Sequence, residues 1–187
     1  MNLSIRFGRY GRIGFATLSL VCALGASLDV FAAIKPERVH TAEPKKSNFY
    51  IRDGLFVGGD RAIDQVIVRD IRRAANPSYE RVVIDLEGNS GGMPAAIDRP
   101  PYYQVAVSPD EKRLVVTVFG SPRLTFDSGK VASAFRRSKI FREITLLPAI
   151  EKDTWTFAFE MKNKAPVEVF ELSNPVRIII DVKAAKK

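Results

Sequence analysis

Few residues in this chain have the type and placement for chemistry. There is one histidine, His40, and one cysteine, Cys22. His40 lies in a stretch rich in proline and charge, away from any apolar run, so neither a Ser-His-Asp triad nor a His-ligated zinc is expected. Cys22 lies inside an N-terminal apolar stretch of the kind removed on export. The remaining chain then has no thiolate nucleophile, disulfide or thiolate-bound metal. Asp85, Glu87 and Asp98 flank a Gly/Pro-rich stretch and are the residue types that pair in glycoside cleavage. Carboxylates on loops are ordinarily solvated, and no catalytic role is assigned to them. Gly88-Asn89-Ser90-Gly91-Gly92 lacks the Gly-Lys-Ser/Thr ending and the following helix of a phosphate-cradling loop, so it reads as a hairpin tip. The expectation is a non-enzyme with no cofactor and no metal.

Binding chemistry is better represented. Lys130, Arg136, Arg137, Lys139 and Arg142 form a basic segment. Guanidinium forks suit carboxylates, and Phe135 and Phe141 beside them suit an anionic lipid surface. The plainer alternative is a solvated helix face. Tyr102 and Tyr103 follow Pro100-Pro101 and offer either stacking faces for sugar rings or ordinary strand packing. In Arg81-Val82-Val83-Ile84-Asp85-Leu86 the period of two puts Arg81, Val83 and Asp85 on one face. Arg177, Ile179 and Asp181 repeat this spacing. Arg81 and Arg177 are therefore either ligand contacts or members of cross-strand Arg–Asp pairs, each contributing about 0.5 kcal/mol.

The elements that must position these residues are mostly strands. Val105 to Val118 has the same layout as Val169 to Val182: a β-rich run, a Pro-containing turn, an arginine and a β-branched strand. Each is preceded by another strand, Arg81 to Leu86 in one case and Trp155 to Glu160 in the other. Val83 to Arg113 is 30 positions and Phe157 to Arg177 is 20; the excess falls in the Gly/Pro-rich Glu87 to Pro101, read as a long loop. The expected fold is mainly β, a pseudo-symmetric β-sandwich of two repeated strand/hairpin units with one short helix. That helix is placed within Ser128 to Arg142. Trp155, Phe157 and Phe159 alternate and should share the core face. Strands are expected at Val66 to Ile71 and Ile144 to Ile150, and a short hairpin or edge strand within Asn48 to Gly59.

Residues 1–32 read as a secretory signal peptide. Arg6, Arg9 and Arg12 precede the uncharged Phe15 to Leu28, and Val30-Phe31-Ala32 supplies small residues for cleavage after Ala32. The rival is an uncleaved anchor. After cleavage no transmembrane span is expected, and the location is periplasmic, which disfavours nucleic acid as a partner. Residues 33–62 read as a flexible tether with a possible edge strand, and 63–187 as the β domain. The full chain has 29 Lys+Arg and 21 Asp+Glu, net +8; without Arg6, Arg9, Arg12 and Asp29 it keeps 26 against 20, net +6. That excess suits an anionic partner, or serves solubility alone. The remaining stretch of about 155 residues suffices for one domain with an adequate core.

The strand phrases resemble those of the AMIN domain family, found in periplasmic N-acetylmuramoyl-L-alanine amidases and in type IV pilus secretins. Arg81 to Leu86 fits the family's first strand, Asn174 to Val182 its last, and Arg113 to Val118 the equivalent strand of the other half, with Thr117 where Asp is usual. The resemblance covers Gln65 to Lys183. It implies a symmetric β-sandwich that binds peptidoglycan or another anionic envelope polymer, or that acts through envelope-complex proteins. The zinc-dependent chemistry of the amidases is not expected here, so the reading is of a free-standing binding module.

Overall fold

The computed structural model describes residues 36–146 and 153–184. The expected signal peptide lies outside them. A single 3-10 turn at Pro36–Arg38 leads into twelve strands and one helix. In chain order these are β1 (Val39–Thr41), β2 (Gly54–Gly58), β3 (Val66–Ala75), β4 (Tyr79–Ser90), β5 (Met93–Ala95), β6 (Tyr103–Ser108), β7 (Arg113–Phe119), β8 (Arg123–Leu124), α1 (Ser128–Arg136), β9 (Phe141–Leu146), β10 (Thr154–Met161), β11 (Val167–Ser173) and β12 (Val176–Lys183).

The strands form two six-stranded sheets. One has the order β1-β2-β6-β7-β10-β9; the other runs β11-β12-β4-β3-β8, with β5 paired to β4. Alternation decides which side chains lie between them. Val82, Ile84 and Leu86 of β4 and Ile178, Ile180 and Val182 of β12 meet Val105, Val116, Val118 and Phe157 of the facing sheet in one shared core. Trp155, Phe157 and Phe159 do share the core face; the Trp155 and Phe157 rings stack at 4.2 Å.

The two stretches of similar layout fall in different sheets. The hairpin β6-β7 lies beside β10, and the hairpin β11-β12 lies beside β4. Each hairpin thus pairs with the strand that precedes the other hairpin in sequence. The register aligns their outer faces as well: Arg177 opposes Asp85 and Asp181 opposes Arg81 in one sheet, where Arg113 opposes Glu160 and Thr117 opposes Thr156 in the other. The excess residues of the first stretch are not all loop. β4 continues to Ser90, turns at Gly91 and Gly92 (φ +59° and +89°) and returns as β5. Those positive φ values favour glycine, and the hairpin-tip reading of this segment holds.

Two segments close the open sides of the sandwich. On one side α1 follows β8 of the second sheet and leads into β9 of the first, with Val131 and Phe135 buried in the core. Asp127 caps the helix by accepting from Lys130 N–H at 3.1 Å. The helix lies within the expected segment and ends at Arg136, because the Ser138 hydroxyl takes the N–H groups of Ile140 and Phe141 and turns the chain into β9. Phe141 is therefore a strand residue, packed edge-on to Phe135 at 5.5 Å.

On the other side the expected tether is a packed strap. β1 pairs in parallel with β2, and β2 pairs with β6, so both belong to the first sheet. The intervening chain crosses to the second sheet, where Glu43 bridges Phe170 and Ile51 bridges Val167. Ala42 and Ile51 are buried in the common core. The packed unit thus begins well before Ile63. Periodicity missed the strap because polar and charged contacts hold most of it.

Candidate binding surface

The outer face of the second sheet is built in rows. Register sets Glu168, Asp181, Arg81 and Ala74 across β11, β12, β4 and β3; then Phe170, Ile179, Val83 and Arg72; then Leu172, Arg177, Asp85 and Asp70. Charged rows enclose an apolar one, whose Phe170, Ile179 and Val83 are buried. Arg81 grips Asp181 with two hydrogen bonds of 2.7 and 2.8 Å. Asp181 is 0 % exposed and also accepts from Lys46 of the strap. Glu168 accepts from the Ser47 and Asn48 N–H groups. Burial opposes the charge on Lys46 more than any one contact favours it, but the hydrogen bonds to Asp181 and Tyr50 and the charge of Asp181 together outweigh burial and hold the ammonium above its ordinary pKa. Asp85 takes two bonds from Arg72, at 2.7 and 2.9 Å, and lies 3.3 Å from Arg177 Nε. The hydrogen bond to Asp85 strengthens the charge on Arg72, against the effect of burial. Arg81 and Arg177 are thus cross-strand ion-pair partners, the structural alternative of the two readings.

Tyr102 and Tyr103 part company. Tyr103 is 0 % exposed and faces the core, so it is no surface for a sugar. Alternation buries it and turns Tyr102 outward. Tyr102 lines a hollow of about 330 Å³ with Arg61, Phe119, Asp64 and Asp153. The Arg61 guanidinium already lies 4.0 Å from the Tyr102 ring centroid, and Phe119 stands 5.1 Å away. A sugar ring would have to displace Arg61 to stack there.

The basic segment is exposed and held in place. Lys130, Arg136, Arg137, Lys139 and Arg142 are all exposed. Arg136 reaches only Ser133 Oγ, at 3.2 Å, and Arg136, Arg137, Lys139 and Arg142 have no acidic partner among the described residues. Their backbone is pinned from below by Glu80, 3 % exposed. Glu80 accepts from Lys139 N–H at 2.8 Å and from the Ser138 hydroxyl, and pairs with Arg73 at 3.0 Å. Four cations thus stand on a fixed turn at the junction of α1 and β9.

Beside this turn, α1 and β3 enclose a cleft of about 380 Å³, lined by Asp70, Ile71, Arg72, Arg73, Ala74, Val83, Lys130, Val131 and Ala134. Sequence reasoning missed Arg72, Arg73 and Glu80. A signal was present for two of them: Arg73 is in phase with the buried Ile71, and Glu80 with the buried Val82. Charges of opposite sign at inward positions on either side of a turn call for each other. Among the described residues no group of His, Cys, Asp and Glu could hold a metal ion.

The fold and surface define an all-β module with cations displayed at one side and its buried carboxylates committed to structural pairs. The AMIN-like domain matches residues 66–184, and the chain belongs to that family of non-catalytic, envelope-associated modules. No curated protein matches it. The match starts at β3, so β1, β2 and the strap lie outside it.

Proposed function

We propose that this AMIN-like module binds an anionic polymer of the cell envelope, peptidoglycan before others, from the periplasmic side and without catalysing its cleavage. The observation that carries this reading is the fixed turn bearing Arg136, Arg137, Lys139 and Arg142, exposed and without acidic partners among the described residues. Arginine forks on a rigid support bind carboxylates with little loss of side-chain freedom. The net charge of +6 that remains without Arg6, Arg9, Arg12 and Asp29 (26 against 20) brings anions to the surface from a distance. The matched strand order supports a pseudo-symmetric origin from a duplicated unit. The test is co-sedimentation of the protein with purified sacculi. Binding should exceed that of a charge-matched control at physiological salt and fall as salt rises, since screening acts over about 10 Å at 0.1 M. Sedimentation no better than the control refutes it.

A second reading draws on the other sheet. Its outer row Leu55, Ala106, Val115 and Ala158 is uncharged across β2, β6, β7 and β10. This uncharged row, flanked on the same face by the Arg113–Glu160 pair, suits protein contact within a trans-envelope assembly. Co-purification of the protein with envelope-complex proteins, from cells whose sacculi it fails to bind, would favour that reading.

A further inference from the structure

Two arginines of β3 are already gripped in place and still have nitrogens to spare. Arg72 commits Nε and Nη2 to Asp85, and Arg73 commits Nε to the Ala134 carbonyl and Nη1 to Glu80. Arg72 Nη1 and Arg73 Nη2 have no hydrogen-bond partner among the described residues. Both side chains line the α1–β3 cleft, and so does Lys130, whose nearest acidic oxygen, on Asp127, is 3.9 Å away. Asp85 and Glu80 stand behind the arginines and do not line the cleft. Asp70 does line it, 3.8 Å from Arg72 Nε. The wall therefore offers three cations and one carboxylate. Asp85 and Glu80 already offset much of the charge on the two arginines, so little net positive charge remains, which suits a single negative charge better than a phosphate or a run of acidic groups. The rest of the lining is small and apolar, chiefly Ala74, Val131 and Ala134. At about 380 Å³ the cleft is near the lower end of ligand pockets, about 300–1,000 Å³.

We propose that the α1–β3 cleft seats the C-terminal carboxylate of a short peptide ending in alanine-sized residues, with Arg72, Arg73 and Lys130 on the carboxylate and the methyl groups against Ala74, Val131 and Ala134. The assignment rests on the envelope-binding function proposed above and names the part of the polymer that is held: its peptide ends rather than its sugars. Because both guanidinium groups are fixed before the ligand arrives, little rotamer freedom is lost on binding. A free carboxylate is required, since an amide would leave the spare nitrogens facing a neutral group.

The test is an NMR titration of the protein with N-acetyl-alanyl-alanine and, separately, with its C-terminal amide. The acid should shift the Ala74, Val131 and Ala134 methyl signals, and the amide should bind about tenfold more weakly or worse. Lys130→Gln, at an exposed position, should weaken the acid several-fold and leave the rest of the spectrum unchanged. Ala134→Phe should fill the cleft and abolish the shifts. Equal binding of acid and amide overturns the proposal, as do shifts confined to other surfaces or the same shifts from inorganic phosphate at equal concentration. If Ala134→Phe is folded, loses the peptide and still sediments with sacculi as the parent does, the cleft is not the envelope contact and this inference fails while the proposed function stands. If the parent itself does not sediment, the proposed function fails, whatever the titration shows.

Discussion

Tyr103 shows how a single residue can set the response of this sandwich to pH. Its hydroxyl is buried and, among the described residues, has no hydrogen-bond partner of good geometry; the buried carboxylate of Glu171 lies close by and its contact with the phenol is too poorly aligned to count as a full bond. Burial, and then that carboxylate, push the phenol well above its ordinary pKa of about 10. The folded state therefore holds the neutral phenol where the unfolded chain would release its proton. Stability from this group is complete below pH about 10 and falls as pH rises from there through the folded pKa. Tyr103→Phe should be within about 1 kcal/mol of the parent at pH 7, because the lost hydroxyl makes no full bond. Above pH 10 it should be the more stable of the two, by a margin that grows with pH. The shallow slope that remains belongs in part to Tyr50, whose phenol is also raised by its surroundings. Urea denaturation of both proteins between pH 7 and 11 checks this, and parallel curves would refute it. Among ion pairs, Arg81–Asp181 and Arg177–Asp85 were legible in the sequence, since period two fixes who shares a face. Lys46 was not, because it lies in no periodic strand whose register would place it beside Asp181 and Glu168.

At the level of elements, α1 and the strap do the same work by different chemistry, and only one of them could be read in advance. The helix announces itself through Val131 and Phe135 at near-helical spacing, and its apolar face enters the core. The strap has few apolar anchors and is held by backbone bridges and charge-assisted bonds, so no periodicity betrays it. Where α1 ends was less legible than where it begins. Phe141 fits the helical period, but Ser138 and Glu80 take over the backbone and impose a turn. Glu80 thus ties β4 to the α1–β9 junction, and its loss should be felt there first. Glu80→Gln keeps the shape but gives Arg73 a neutral partner in a buried place. A broken buried pair costs about 3–5 kcal/mol, and the isosteric amide should cost about 3. Amide exchange at Lys139 and Phe141 should quicken before that of β4 or β12. Uniform acceleration across both sheets, or none at all, would show that Glu80 does not pin this junction.

Across the whole molecule, the charged groups differ in how they are paired. The outer face of the second sheet balances its charges in pairs, and the first sheet's outer row Leu55, Ala106, Val115 and Ala158 carries none. Four cations without acidic partners among the described residues, Arg136, Arg137, Lys139 and Arg142, stand close together at the α1–β9 junction, whereas others, such as Lys45, Arg52 and Lys112, are scattered over the rest of the surface. The positive excess was legible from composition; its location was legible only as a basic run, and the cleft beside it not at all, because β3 and α1 are more than fifty residues apart in sequence. Replacing Arg136, Arg137 and Lys139 together by Gln separates a binding surface from a structural one. All three side chains are exposed, so each substitution should change stability by no more than about 0.5 kcal/mol. Lys139 bonds Glu80 through its backbone N–H, which glutamine retains. Binding to sacculi should drop sharply at low salt, where three charges matter most. It should differ less from the parent at 0.5 M, where screening already weakens both. A triple variant that binds as the parent does would move the contact to another surface, Tyr102 or the uncharged row of the first sheet. One that unfolds would make the arginines part of the fold. A folded variant with lost binding and a flattened salt dependence is the result that ties the envelope to this turn.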